Sequence, residues 1–148
     1  MAPGSFVVAN LGRVKVAFGT DEVTPVTEEL RGYLAEVGHE VTVVGDGMRW
    51  ADVGRLVGEA VSSGRADVGI VFCFTGTGVS MAANKVPGVR AALCVDAETA
   101  RGARRWNDAN VLALSLRLTT GELAREIVEA FFASAPDESE ADQVALLV

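Results

Sequence analysis

The chain has 148 residues, 49% hydrophobic and 22% charged, with a formal net charge of -7. That length and balance describe one globular domain with a substantial core, and the acidity excludes a general affinity for nucleic acid or anionic membranes, which need a surplus of lysine and arginine. No apolar run approaches the roughly 20 residues that span a bilayer, and the opening MAPGSFVVANLGR lacks the basic start and long apolar stretch of a signal peptide, so a cytoplasmic protein with small-molecule or protein partners is expected.

Short β-branched runs alternate with amphipathic stretches along the chain. The first strand is read at Val14 to Phe18. Thr24 then caps a helix with Pro25 at its first position, and Val26, Leu30, Tyr33, Leu34 and Val37 share a face until Gly38 stops it. A second strand is read at Val41 to Val44. The next helix is placed from Asp52, where Val53, Leu56, Val57, Ala60 and Val61 recur at helical spacing, and Ser62-Ser63-Gly64 ends it. Val68 to Phe74, Val89 to Val95 and Val111 to Leu116 supply three more strands. Asp96 caps a helix through Trp106, and a last helix near Thr120 to Ala133 turns Leu123, Ala124, Ile127, Val128 and Phe131 inward.

Strands apolar on nearly every residue suit a parallel sheet covered on both faces. The expectation is therefore a three-layer α/β/α Rossmann-like sandwich with a five-stranded parallel sheet, forming one domain over residues 1–148, with an N-terminal extension over 1–13 and an acidic tail over 134–148. Ligands of such sheets bind at the carboxyl ends of the strands. That rule selects Gly19-Thr20-Asp21-Glu22, the segment from Phe74 to Ser80, and Asp96.

The segment GIVFCFTGTGVSMAANK, residues 69–85, runs from a strand through Cys73 into a glycine-threonine loop and a helix start. Gly76 and Gly78 allow close approach of the backbone to a ligand, and the helix start offers unpaired N–H groups to an anion or oxyanion. The pattern is neither a Walker loop nor a dinucleotide fingerprint. By itself it fits a plain strand-to-helix turn as well as it fits an anion cradle. Cys73 sits where a helix N-terminus stabilises a thiolate, although a lone cysteine in an apolar strand is more often inert, and Cys94 fits that inert description better. Asp21 and Glu22 would share the sheet edge with the loop, where a carboxylate serves as acid or base. One histidine, His39, and two unclustered cysteines make a metal site or metal cofactor unexpected.

At this point the residues carry a resemblance. The block GIVFCFTGTGVSMAANKVPGVRAALCVDAETARGARRWNDANVLALSLR resembles the central part of the ribose-5-phosphate isomerase type B and galactose-6-phosphate isomerase family, and VKVAFGTDEV, LRGYLAEVGHEV and GELAREIVEAFF extend the likeness over roughly residues 14–133. The resemblance implies a cofactor-free aldose-ketose isomerase whose sites lie between the subunits of a homodimer or higher homo-oligomer. It also implies Cys73 as the base next to the carbonyl, Thr75 as its hydroxyl helper, and Gly76 and Gly78 in an anion hole that continues to Ser80. Asp21 matches the aspartate of the first loop, Asn107 the asparagine after a ring-opening histidine, Arg117 an arginine near the site, and His39 a structural turn.

The chain also departs from that pattern. Glu22 stands where a histidine is usual, Trp106 replaces the ring-opening histidine, Phe74 replaces a glycine, and Trp50-Ala51 replaces Tyr-Pro. Where the family carries a basic phosphate-binding segment, this tail reads Asp137, Glu138, Ser139, Glu140, Ala141, Asp142. The expectation is proton transfer next to a carbonyl through an enediolate or enolate, with Cys73 as base, Asp21 or Glu22 as partner, and Trp50, Phe74 and Trp106 lining a more apolar pocket. The substrate is then not an ordinary phosphosugar. Two alternatives stand beside it: a classical sugar-phosphate isomerase with displaced phosphate ligands such as Arg101, Arg104 or Arg105, and a non-catalytic binding or subunit protein on the same fold.

Overall fold

The computed structural model describes residues 12–147. Most of the expected N-terminal extension therefore lies outside the described residues. Five strands and five main helices alternate: β1 (Lys15–Thr20), α1 (Pro25–Glu36), β2 (Glu40–Asp46), α2 (Trp50–Ser62), β3 (Val68–Cys73), α3 (Thr77–Asn84), β4 (Ala91–Leu93), α4 (Ala97–Asn107), β5 (Val111–Ser115) and α5 (Gly121–Ala133). A 3-10 turn (Glu138–Glu140) and the one-turn α6 (Ala141–Val144) follow. All pairings are parallel, in the order β2-β1-β3-β5-β4. No helix among the described residues is long and apolar enough to cross a membrane.

The strand sequences alternate in size, and this sorts the two faces. Val16, Phe18, Ile70, Phe72, Leu112 and Leu114 pack with α1, α4 and α5, while Ala17, Val71, Cys73, Val111 and Ala113 pack with α2 and α3. Both faces exclude water, and every residue of β3 is buried. The three-layer α/β sandwich follows from this two-sided burial. The smaller side chains on the second face go with tight helix contacts: a Cβ added at Gly54 of α2 would stand 2.5 Å from the Ala82 Cβ of α3.

Several boundaries differ from the sequence reading. Helix α2 starts at Trp50 rather than Asp52, because the N–H groups of Asp52 and Val53 both donate to the Arg49 carbonyl at 3.0 Å. β2 extends to Asp46. The run at 89–95 contributes only three paired residues, since Arg90 turns its side chain inward and Asp96 already caps α4 by accepting from the Thr99 N–H at 2.7 Å. The edge of β4 is closed by Asn84, whose amide takes both the N–H (2.8 Å) and the carbonyl (3.0 Å) of Ala91.

Behind β4 and β5 lies a polar cluster that the sequence reading missed. Arg104 is fully buried and donates to the Asp108 carboxylate (3.0 Å) and to the carbonyls of Ala109 (2.6 Å) and Ser134 (3.3 Å). Arg90 donates to the Asp108 carbonyl at 2.6 Å. Asp108 ends α4 in the left-handed conformation, with φ of 48°. The acidic tail is fastened to the same end of α4, where the Asp137 N–H donates to the Arg105 carbonyl at 2.8 Å.

Candidate active site

Cys73 is the last residue of β3, 4% exposed, with its side chain in the layer of α2 and α3. The chain then leaves the sheet abruptly. Gly76 caps α3 with φ of 79°, a conformation that costs an L side chain energy, and a Cβ there would stand 2.5 Å from Leu93 Cδ1 and 3.0 Å from the Leu114 carbonyl carbon. Glycine at this position thus lets the loop lie flat on the strand ends. The N–H groups in the first turn of α3 have no carbonyl earlier in the helix to bond, and they open beside the end of β3. Ser80 lies one turn into α3, half-buried, its N–H directed to the Gly76 carbonyl at 3.3 Å.

The loop's orientation is fixed from β5. The Phe74 carbonyl accepts from the Arg117 N–H (2.9 Å) and from Ser115 Oγ (3.0 Å), and its ring projects outward, 60% exposed. Sequence reasoning did not single out Ser115. Its register position opposite Cys73 is the signal that marks it. Thr75 and Thr77 share a hydrogen bond between their hydroxyls at 2.8 Å.

Strand β1 lies beside β3, with Thr20 in register with Phe72, so the residue after Thr20 arrives next to Cys73. That residue is Asp21, whose N–H donates to the Phe72 carbonyl at 3.2 Å. Its Oδ1 is buried with no hydrogen-bond partner among the described residues. Burial raises the Asp21 carboxyl above the ordinary aspartate range; a backbone hydrogen bond from Glu22 opposes the shift and the neighbouring Glu22 charge adds to it. Glu22 itself is exposed, with its carbonyl accepting from Thr20 Oγ1 at 2.6 Å.

Asp21 opens into a cleft of about 740 Å³ formed with Gly47, Met48, Arg49, Trp50 and Asp52. The Trp50 indole covers Gly78, where a Cβ would stand 2.9 Å from the ring. One aromatic ring therefore joins the cleft to the loop that follows Cys73. Arg49 was missed by the sequence reading, though it lies beyond the carboxyl end of β2 and the strand-end rule selects it too. Its guanidinium is paired with Asp52 at 3.1 Å.

Two proposed residues do not join this group. Helix α4 starts beyond the carboxyl end of β4 and runs back to the start of β5, so Trp106 and Asn107 at its end lie on the opposite edge of the sheet. Trp106 is 52% exposed and rests on Gly102, and Asn107 borders two clefts, one with Arg90 and Ala109 and one that runs along α4 to Glu98 and Thr99. An apolar pocket containing Trp50, Phe74 and Trp106 together is not formed within one chain. Arg104 is also corrected: its burial against Asp108 removes it from any phosphate-binding role. Arg101 pairs with Glu98 at 3.8 Å. His39 accepts the Val14 N–H at 3.1 Å and packs edge-on to Phe132, at the amino end of β2. Among the described residues no three His, Cys, Asp or Glu side chains converge as metal ligands.

A family model described as Ribose/Galactose Isomerase matches residues 16–146. Ribose-5-phosphate isomerase B of Escherichia coli is 39% identical over 122 residues, covering 79% of this chain and 82% of that protein. D-erythrulose-4-phosphate isomerase of Pectobacterium atrosepticum is 36% identical over 124 residues, covering 80% and 82%. Among solved structures, ribose-5-phosphate isomerase B of Clostridium thermocellum superimposes with a TM-score of 0.83 at 37% identity, covering 90% of this chain and 94% of that one.

Proposed function

Because the chain belongs to the ribose/galactose isomerase family and is an isomerase, we propose that it moves a proton between the carbons of a small hydroxycarbonyl compound that is not an ordinary phosphosugar. The observation that carries this reading is the meeting of Cys73 and Asp21 at adjacent strand ends, beside the N–H groups that open α3.

The chemistry follows from that placement. Cys73, as thiolate, takes the proton from the carbon next to the carbonyl; the C–H electron pair becomes the C1–C2 double bond, and the carbonyl pair moves to O1. The N–H groups of the loop and first turn of α3, residues 75–79, hold the resulting oxyanion. Asp21 takes the O2 hydroxyl proton and delivers it to O1, with Thr75 and Ser80 as neighbouring hydroxyls. O2 then forms the new carbonyl, and the Cys73 thiol returns its proton to C1. Nothing is consumed, so the step needs no cofactor. The unpartnered Asp21 Oδ1 supports the shuttle role, since a substrate hydroxyl would satisfy it.

Charge supports the substrate reading. Glu22 stands beside Asp21 and Arg49 is already paired, while the tail, acidic at Asp137, Glu138, Glu140 and Asp142, is fastened to the far end of α4 and would reach the site only from a second copy. Acidic surroundings repel a phosphate dianion. Similarity to an isomerase of a four-carbon sugar phosphate supports a short substrate. The position of Trp106 and Asn107 on the far edge supports a homodimer in which the partner subunit contributes that end of α4, with Arg117 bordering the shared site.

The test is deuterium exchange. Incubated in D2O with a panel of hydroxycarbonyl compounds, the protein exchanges a C–H proton, and Cys73→Ser reduces that rate by about 10²-fold or more. Exchange that survives the substitution sinks the reading. Mixing Cys73→Ala with Asn107→Ala chains tests the shared site: in a two-fold dimer with equal exchange of subunits, about a quarter of wild-type activity returns.

A further inference from the structure

Resting on the isomerase reading above, we infer that the buried hydroxyl of Ser115 is a positioning group for the reaction: it holds the Phe74–Thr75 peptide turned, so that an N–H rather than a carbonyl faces the enediolate oxygen. Ser115 touches no reacting atom. Its effect passes through one peptide plane.

The hydrogen bonds at the end of β3 show the turn. Along a parallel strand, successive carbonyls point alternately to the two neighbouring strands. Here the alternation holds for two residues and then fails. The Phe72 carbonyl accepts from the Asp21 N–H, just past β1, at 3.2 Å, and the Cys73 carbonyl accepts from the Leu116 N–H, just past β5, at 3.0 Å. The Phe74 carbonyl, which a regular strand would send back toward Asp21, accepts instead from the Arg117 N–H on the β5 side at 2.9 Å. The peptide is trans and planar, so its N–H points opposite to its carbonyl. With β3 lying between β1 and β5, the Thr75 N–H is directed to the side of Asp21, and no backbone carbonyl among the described residues accepts it. In the regular orientation a carbonyl lone pair would meet the developing oxyanion there.

Ser115 is built into that turn. It is the last residue of β5, 2% exposed and in register with Cys73. Its Oγ donates to the Phe74 carbonyl at 3.0 Å and accepts from the Leu118 N–H at 3.2 Å. The second bond occupies a lone pair and leaves the single hydroxyl proton aimed at Phe74. Neither bond involves the Cys73 thiol. The nearby Thr75 hydroxyl is bonded to that of Thr77 at 2.8 Å, so the side-chain donor that holds the turned carbonyl is Ser115, alongside the backbone N–H of Arg117.

The experiment follows C–H exchange of glyceraldehyde and erythrose in D2O by NMR, with Cys73→Ala as the blank, for the wild-type chain, Ser115→Ala and Ser115→Thr. Ser115→Ala, folded by circular dichroism, is expected to lower kcat about tenfold or more, short of the roughly 10²–10³-fold that outright loss of an oxyanion donor brings. KM stays within about twofold of wild type, because the interaction weakened is made to the oxyanion and not to the aldehyde. The pH of half-maximal rate does not move, since the hydroxyl removed does not titrate. Ser115→Thr, which keeps a hydroxyl on the same carbon, recovers the wild-type rate to within about threefold. A hydroxyl that only fastened the loop would move KM together with kcat, and one that acted on the thiol would shift the pH profile. Either result overturns the inference and leaves the isomerase reading standing, as does a Ser115→Ala rate within about threefold of wild type, or a folded Ser115→Thr chain as slow as Ser115→Ala. If Ser115→Ala is not folded, Ser115→Cys under reductant, close in shape and a weak donor, is held to the same criteria. If neither aldehyde exchanges in a Cys73-dependent way, the isomerase reading for short hydroxycarbonyls falls, and this inference with it.

Discussion

Replacing Gly76 by alanine separates two costs that usually come mixed. Gly76 and Gly64 have nearly the same φ, 79° and 80°. Around Gly64 nothing lies within 4 Å of an added Cβ, whereas at Gly76 the methyl would meet Leu93 Cδ1 at 2.5 Å and the Leu114 carbonyl carbon and oxygen at 3.0 and 3.1 Å. Leu93 can rotate away, but Leu114 belongs to the buried middle of the sheet and its backbone cannot. Both variants carry the left-handed penalty of about 1–2 kcal/mol. Gly76→Ala alone adds an overpacking cost of about 1–3 kcal/mol. For a domain of this size each kcal/mol moves the melting temperature by roughly 2–4 °C, so Gly64→Ala lowers it by about 2–8 °C and Gly76→Ala by about 4–20 °C. Differential scanning calorimetry of the two variants, with urea midpoints as a check, reads the difference directly. Equal melting temperatures would refute the view that the turn after Cys73 is held by the strand ends beneath it.

Asp108→Asn keeps a residue that tolerates the left-handed conformation but leaves Arg104 and Arg90 facing a neutral amide in the interior. Loss of a buried partner of this kind costs about 3–5 kcal/mol, and a urea midpoint close to wild type would show that the cluster is not held by charge. Desolvation lowers the His39 pKa in the folded state. The native chain therefore binds fewer protons than the unfolded one, and stability falls as pH drops through the unfolded value near 6.5, levelling off below the folded value; in His39→Gln this part of the pH dependence of the melting temperature should vanish. Burial first, and the Asp96 charge second, push the Cys94 thiol up to about 12. Iodoacetamide at pH 8 should leave Cys94 unmodified in the folded protein and label it in urea, and mass spectrometry showing native labelling would contradict its burial.

The sheet was legible because a doubly covered strand announces itself: VGIVFC can only be buried on both sides, and the helices between such runs carry their periodicity openly. The place of Asp21 beside Cys73 also follows from topology, since short loops in a parallel sheet deliver strand ends to one edge. Contacts across the fold were not legible. Nothing in the letters places the Trp50 ring on Gly78, and Arg104 reads as one more cation on an exposed helix face until Asp108, four residues on, turns inward to meet it. Trp106-Asn107 is a different case, because family likeness groups residues by role and a single chain groups them by strand direction, so this end of α4 lies apart from the Cys73 of its own chain. The return of α4 to the amino edge was available from the element order alone.

The closure of β4 by Asn84 bears on how copies of this chain can join. An open sheet edge invites another strand to extend it, and three residues offer little to hold one. With both backbone groups of Ala91 already bonded to the Asn84 amide, this border is sealed against its own twin. A continuous ten-stranded sheet through β4 is thereby disfavoured, which leaves the outer edge of β2 and the loops and helix faces on which Phe74, Trp50 and Trp106 stand exposed.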